Sequence, residues 1–233
     1  MTSTSPYVTV PGRGRVWRPE GRPATAPSPA FQGSLLDVAD EASFGRLGDT
    51  VERRPLTHGA WVDVRRGWVT GSDPLFERLR DSARWQAERR QMYDRVVDVP
   101  RLNCYLGADD AWPDPFLRDL QAALSAHYAP AEPFVTCGLA YYRDGGDSVA
   151  WHGDTFGRGA THDVMVAIVS VGEPRAFMLR PRGGGASIRY DVGHGDLLVM
   201  GGSAQRTWEH AVAKSARPVG PRISIQFRPR DVR

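Results

Sequence analysis

Seven short β-rich runs follow one another in the C-terminal half of the chain, and they constrain the fold more than any other feature of the sequence. The runs are separated by Gly, Pro and Asp, and they occupy residues 135–142, 164–171, 176–179, 187–190, 197–200, 208–212 and 222–227. Short strands bounded by turn residues are typical of a β-sandwich or jelly roll. We therefore expect an α+β chain whose β core covers about residues 135–230.

Two helices are predicted before this region. An Asp-Pro pair stands at 73–74 and again at 114–115, which places an N-cap residue before a proline at the first helical position. Apolar residues then recur at helical spacing, to about Arg90 after the first pair and to His127 after the second. Both helices are expected to pack on one side of a largely antiparallel sheet.

The first thirty residues differ from the rest in composition. They are rich in Pro and Arg and hold few apolar residues that could be buried in a core. We expect a mobile, basic tail over residues 1–30 and a single domain over residues 31–233, since no later Pro/Gly-rich stretch is long enough to separate a second domain.

Composition limits the compartment and the partners. A chain of 233 residues can form a core without disulfides, and Cys104 and Cys137 are its only cysteines. Without a signal-peptide pattern, this predicts a cytoplasmic protein. The longest apolar run, residues 164–171, is far too short to span a membrane, so no membrane contact is expected. The net charge of +3 is compatible with a polyanionic partner but too small to indicate one.

A His-x-Asp pattern, which is the local half of the two-histidine, one-carboxylate site of non-haem iron oxygenases, occurs twice. The candidates are His152-Gly153-Asp154 and His194-Gly195-Asp196. If His210 is the third ligand, Asp154 precedes it by 56 residues, which leaves room for the intervening strands of a sandwich. Asp196 precedes it by only 14, the spacing of a single hairpin. The second motif is therefore interpreted as a glycine turn that enters a buried strand.

The last β-rich run carries charge on one face. Period two places Arg222, Ser224, Gln226 and Arg228 on one side of the strand and its apolar residues on the other. A solvated polar face would give the same pattern. Beside a metal site, however, two inward guanidinium groups would suit a dicarboxylate such as 2-oxoglutarate.

Together these motifs resemble one family, the AlkB-like Fe(II)- and 2-oxoglutarate-dependent dioxygenases, and in particular the branch that repairs alkylated nucleic-acid bases. The resemblance covers about residues 100–230. It rests on the segments 142–144, 147–154, 170–172, Arg175-x-Phe177, 194–200, Gln205-x-x-Trp208-x-His210 and 222–228. It implies a double-stranded β-helix, or jelly roll, with flanking N-terminal helices and a nucleotide-recognition lid.

The resemblance also implies roles for individual residues. The iron ligands would be His152, Asp154 and His210, and the partners of 2-oxoglutarate would be Tyr142, Arg222, Ser224 and Arg228. Candidate substrate-binding residues are Trp151, the lid aromatics Tyr105 and Trp112, Phe156 and Arg175. The chain departs from the family at Ala140 and Ser224, where Asn is usual, and at Phe156, where an acidic residue is usual.

The function implied by the resemblance is oxidative demethylation of bases such as 1-methyladenine and 3-methylcytosine. Fe(II), 2-oxoglutarate and dioxygen would be required, and formaldehyde and succinate released. Because the oxidant would be bound to iron, no separate acid or base residue is expected. The expected partner is alkylated DNA and the expected state a monomer. A hydroxylase of a small molecule or a protein side chain remains an alternative, as does a non-catalytic binding module.

Overall fold

The computed structural model describes residues 7–10, 14–17, 41–92, 95–128 and 132–232. Within them the strands are β1 Tyr7–Val10, β2 Gly14–Trp17, β3 Ser43–Phe44, β4 Glu52–Pro55, β5 Trp61–Arg65, β6 Val69–Thr70, β7 Gln86–Met92, β8 Arg95–Leu106, β9 Thr136–Tyr142, β10 Val149–His152, β11 Val166–Gly172, β12 Arg175–Pro181, β13 Ile188–Val192, β14 Asp196–Gly201, β15 Trp208–Val212 and β16 Arg222–Arg228. The α-helices are α1 Ser72–Ser82, α2 Phe116–Tyr128 and α3 Ala204–Thr207.

Two antiparallel sheets form the body of the protein. The larger has the strand order β1-β2-β7-β8-β9-β16-β11-β14-β5-β4, and the smaller has the order β10-β15-β12-β13. Strands β3 and β6 form a separate two-stranded ribbon. All seven predicted β-rich runs are strands, and the jelly-roll fold is confirmed. The larger sheet also recruits strands from before residue 135, which the sequence did not indicate.

Alternating side chains divide the core into two layers. On β16, Ile223, Ile225 and Phe227 lie in the apolar cluster that also holds the buried faces of α1 and α2. Between the two sheets lies a second cluster, to which Ile168 of the larger sheet and Leu179 of the smaller both belong. The polar face of β16 therefore points between the sheets, as period two predicts.

The first predicted helix is shorter than expected. Helix α1 begins at Ser72 after Gly71, whose φ of 62° is left-handed, so the prediction that Asp73 is the N-cap is wrong. The helix ends at Ser82, and residues predicted to continue it to Arg90 instead form β7, which pairs with β8. The prediction for α2 is confirmed, because Asp114 Oδ1 accepts the N–H of Phe116 at 3.0 Å.

The predicted N-terminal tail lies mostly outside the described residues. Within residues 1–30 the structure describes β1 and β2, which pair with each other, and Val16 of β2 is paired with Gln86 of β7. The mobility of the remaining tail stays a prediction. No helix in the described part of the chain combines the length and the apolar character needed to cross a bilayer.

Candidate metal centre and cosubstrate cleft

Two adjacent strands of the smaller sheet bring three possible metal ligands together. His152 is the last residue of β10 and lies directly opposite His210 of β15. Asp154 follows His152 by two residues, and its Oδ1 lies 3.8 Å from His152 Nε2 and 3.9 Å from His210 Nε2. The ligand atoms of the three side chains all lie within 4.8 Å of one another. A metal ion placed among them could therefore contact all three.

The orientation of Asp154 is fixed from two sides. Its Oδ2 accepts the Nε–H of Arg228 at 2.7 Å, which leaves Oδ1 directed toward the histidines. Its backbone N–H donates to Gln205 Oε1 at 2.9 Å, and Gln205 is itself only 1% exposed. Since α3, which carries Gln205, leads directly into β15, this hydrogen bond joins the two segments that supply the ligands.

Burial and nearby charge set the protonation of the ligands. Burial, and after it the neighbouring His152, lower the pKa of His210 to about 3. Burial also lowers the pKa of His152. Burial alone would raise the pKa of Asp154, but Arg228 and the two histidines lower it well below its usual range. At neutral pH the site therefore holds two neutral imidazoles and one carboxylate, the forms that bind a metal.

A buried cation lies in the same cleft as these ligands. Arg222 is 1% exposed and donates from Nη2 to Ser170 Oγ at 2.7 Å. Its Nε and Nη1 have no hydrogen-bond partner among the residues that the structure describes. Burial lowers the pKa of this guanidinium to about 10, so it is charged at neutral pH. A buried guanidinium with two unpaired nitrogens is suited to receive a carboxylate from a ligand.

Tyr142 and Ser224 line the same cleft as the Arg222 guanidinium. Tyr142 lies opposite Arg222 across the β9–β16 pair, with its ring centroid 5.3 Å from the guanidinium carbon. Ser224 Oγ accepts a hydrogen bond from Gln226 Nε2 at 3.2 Å. All of these residues line one cleft of about 960 Å³ that also contains the triad. The donor set thus fits a metal at one place and a carboxylate at another.

The comparisons with known proteins agree with this geometry. Residues 103–228 match the family model described as the 2OG-Fe(II) oxygenase superfamily, and the match covers more than half of the chain. The chain belongs to the 2OG-Fe(II) oxygenase superfamily. Fe(II), 2-oxoglutarate and dioxygen are accordingly its cofactor and cosubstrates, and the triad and the Arg222 guanidinium fit the first two.

The curated relatives place this oxygenase among the AlkB-like dioxygenases. It is 27% identical over 206 residues to human alpha-ketoglutarate-dependent dioxygenase alkB homolog 3, an alignment that covers 78% of this chain and 68% of that protein. It is 28% identical over 194 residues to the DNA oxidative demethylase ALKBH2 of Arabidopsis thaliana, covering 66% of this chain and 60% of that protein. The chain thus spans about two thirds of the length of these relatives.

Solved structures support the fold. A prolyl hydroxylase from Trichoplax adhaerens, in complex with a hypoxia inducible factor peptide fragment, matches with a TM-score of 0.55 at 13% identity, covering 73% of this chain and 83% of that one. The structure of OsALKBH1 matches with a TM-score of 0.53 at 16% identity, covering 76% of this chain and all of that one. At these identities the likeness concerns the fold alone.

The second His-x-Asp motif of the oxygenase has a different environment. His194 has a φ of 45° in the turn between β13 and β14. Asp196 Oδ1 accepts the N–H of Gly67 at 2.8 Å, and its Oδ2 pairs with Arg66 at 2.7 Å. Through these contacts the Asp196 carboxylate connects the β13–β14 turn with the turn at residues 66–67. This is the structural role that the spacing argument predicted for the motif.

Three of the predicted substrate-binding residues line the cleft of the oxygenase. Tyr105, Trp151 and Phe156 all belong to its wall. The Trp151 ring also lies under the guanidinium of Arg180, whose carbon is 4.2 Å from the ring centroid. Arg180 is in turn paired with Glu209 at 3.0 Å. One face of the indole is thus already covered by the protein.

The predictions for Trp112 and Arg175 are corrected by the structure. Beyond β8 the chain turns at Gly107, and Trp112 donates from Nε1 to the carbonyl of Gly107 at 2.9 Å and packs on the helix-side cluster. It does not line the cleft. Arg175 is 3% exposed, and its guanidinium donates to the carbonyls of Asp144, Asp147 and Ala213 at 2.8–2.9 Å. It therefore joins loops of the oxygenase and has no exposed surface for a phosphate.

Sequence reasoning missed several polar residues of the cleft. Gln86, Glu88 and Asn103 line it from β7 and β8, and Gln86 is paired with Asn103 across these strands. The period-two spacing of 101, 103 and 105 was the available signal. Gln205 was noticed only as part of a motif, and nothing in the sequence indicates that it contacts the Asp154 backbone.

Proposed function

We propose that this oxygenase demethylates alkylated bases of nucleic acid, with DNA as the preferred polymer, and releases formaldehyde. The observation that carries the proposal is the single cleft that combines the metal triad, the Arg222 guanidinium with its two unpaired nitrogens and two exposed aromatic side chains. Relatives named alkB homolog 3 and DNA oxidative demethylase support this substrate class.

When bound at this site, Fe(II) with dioxygen and 2-oxoglutarate supplies the oxidation of a substrate carbon, while 2-oxoglutarate is decarboxylated to succinate. The residues of the chain position the reactants. Arg228 keeps one oxygen of Asp154 occupied, so that the carboxylate presents the other to the metal. Arg222 and Tyr142, which are opposite each other on β16 and β9, would hold the distal carboxylate of 2-oxoglutarate.

No side chain is needed to move a proton from the methyl group. Once the methyl carbon on a ring nitrogen carries a hydroxyl, that hydroxyl loses its proton to water, the C–O bond becomes the C=O of formaldehyde, and the C–N bond breaks with its electron pair returning to the ring. The work of the protein is therefore to hold the methyl group beside the metal. A base stacked within a duplex does not reach a recessed site, so the substrate base must be extruded or already unpaired.

Three further expectations belong to this proposal. We propose that the protein acts in the cytoplasm, as a monomer, and on bases such as 1-methyladenine and 3-methylcytosine. A hydroxylase of a small molecule or a protein side chain is the second candidate, because Phe156 stands where an acidic residue is usual in the repair branch. Binding of a methylated single strand that falls steeply with salt supports the first candidate, since phosphate contacts release counterions.

The decisive experiment measures the product mass. The protein is incubated with Fe(II), ascorbate, 2-oxoglutarate and a single-stranded DNA oligonucleotide carrying 1-methyladenine or 3-methylcytosine, with Asp154→Ala as the control. Loss of one methyl mass, absent in the control, supports the proposal. Succinate formed without demethylation of DNA or of the matching RNA would refute the substrate assignment and leave the oxygenase activity standing.

A further inference from the structure

Exposed aromatic surface is concentrated at one place in the described part of the chain. The large hydrophobic side chains exposed there are Tyr105, at 48%, and Phe156, at 73%, and both line the cleft of the metal centre. Isolated exposed apolar residues are ordinary. Two that line the cleft which also holds the metal triad are placed to contact a ligand.

Phe156 is exposed on a loop that is tightly anchored. Gly157 has a φ of 69° and forms a β-bridge with Val232, and the N–H of Arg158 donates to the carbonyl of Asp231 at 2.9 Å. A Cβ at Gly157 would lie 2.2 Å from the carbonyl oxygen of Asp231. The backbone beside Phe156 is therefore held in place by the C-terminal segment.

The same loop is continuous with the metal ligand. Asp154 precedes Phe156 by two residues, and a Cβ at Gly159 would lie 1.9 Å from the carbonyl oxygen of Asp154. The position of the Phe156 ring is thus tied to the ligand segment on one wall of the cleft. Tyr105 belongs to β8 of the larger sheet, which forms the other wall. The two exposed rings thus line the cleft from different parts of the fold.

We infer that Phe156 stacks on a base that flanks the target base in a single-stranded nucleic acid. This inference rests on the proposed function and adds to it the form of the substrate. An aromatic ring binds any base through its π face, so the contact requires no hydrogen-bond partner. In a duplex the faces of the flanking bases are already covered by their neighbours. In a single strand they are free to stack on the protein.

The experiment compares ligands with and without flanking bases. Binding is measured with protein loaded with Mn(II) and 2-oxoglutarate under argon, so that no turnover occurs. The probes are the 1-methyladenine mononucleotide and a short single-stranded DNA with 1-methyladenine at its centre. For Phe156→Ala we expect the Kd of the oligonucleotide to rise about 5- to 140-fold, the range for one lost base–aromatic stack, with an unchanged Kd for the mononucleotide. Phe156→Trp should retain oligonucleotide binding.

An oligonucleotide with abasic sites on both sides of the lesion is the matched control, and wild-type protein and Phe156→Ala should bind it equally. An equal loss of mononucleotide binding would overturn the inference, because Phe156 would then contact the target base itself. Unchanged oligonucleotide binding would also overturn it, and a lowered Tm in that case would show that the ring packs on its own chain. Wild-type protein that binds no oligonucleotide would contradict the proposed function and this inference together.

Discussion

Arg222 illustrates how a single side chain can be poorly satisfied in the free protein and well suited to a ligand. Its guanidinium is buried with two unpaired nitrogens, which is costly until a carboxylate arrives. For Arg222→Gln we expect the KM for 2-oxoglutarate to rise about 10- to 140-fold, since hydrogen bonds to charged groups contribute about 1.5–3 kcal/mol. The measurement is succinate formation against 2-oxoglutarate concentration. An unchanged KM would show that the carboxylate binds elsewhere, and Ser224→Ala is the milder comparison.

Gln205 is a second single residue with a specific role, because it accepts the backbone N–H of Asp154. Replacing it by Met keeps the length of the buried side chain but removes the acceptor for the Asp154 N–H. We expect Mn(II) binding to weaken about 10- to 100-fold, because groups that orient metal ligands contribute to affinity to this extent. Titration calorimetry measures the change. Gln121→Met, which removes a hydrogen bond to Phe134 far from the site, is the control and should bind Mn(II) normally.

At the scale of elements, Asp196, which begins β14 after the turn from β13, has a structural role, in contrast to the candidate metal ligand Asp154. Asp196→Ala removes acceptors for the Gly67 and Gly193 N–H groups and the partner of Arg66. The free energy of unfolding should fall by about 1–3 kcal/mol. Mn(II) affinity should be unchanged. Urea unfolding and calorimetry test the two statements, and a loss of metal binding would mean that the wrong His-x-Asp motif had been assigned to the iron.

The elements that sequence reasoning predicted are those whose patterns are local. Strand β16 alternates strictly, so period two predicted which residues share its polar face, and the nearby metal motif suggested that this face meets a cosubstrate. Strand β7 was mistaken for the end of a helix because its residues, including Gln86 and Glu88, favour helices, and only pairing with β8 makes them extended. Strand β10, which carries His152, has only four residues and no apolar alternation. The sequence pattern therefore did not predict it.

At the scale of the whole molecule, burial of the ligands links metal chemistry to folding. His210 has a pKa of about 3 in the folded protein and titrates near 6.5 when unfolded, so the unfolded state binds more protons below about pH 6.5. Stability of the metal-free protein should therefore fall as the pH drops from about 6.5 toward about 3. One histidine contributes a slope of up to about 1.4 kcal/mol per pH unit.

Urea unfolding in the presence of a chelator, at a series of pH values from about 7.5 to about 5.5, measures this slope. His210→Gln should reduce this slope, because one of the two histidines that titrate differently in the folded and unfolded states is gone. The lowered pKa of His152 adds to the slope in the same direction. Stability that stays constant over this range in the wild-type protein would contradict the linkage.

The position of β10 at the edge of the smaller sheet has a thermodynamic consequence. Among the strands that the structure describes, β10 pairs with β15 alone, and its register is interrupted between Val149 and His152. Opening of the edge separates His152 from His210, and a bound metal resists that opening. A bound metal therefore stabilises the edge of the sheet, and the free energy of local unfolding there should rise with metal occupancy. When iron is scarce, we expect β10, which carries His152, to unfold locally more often.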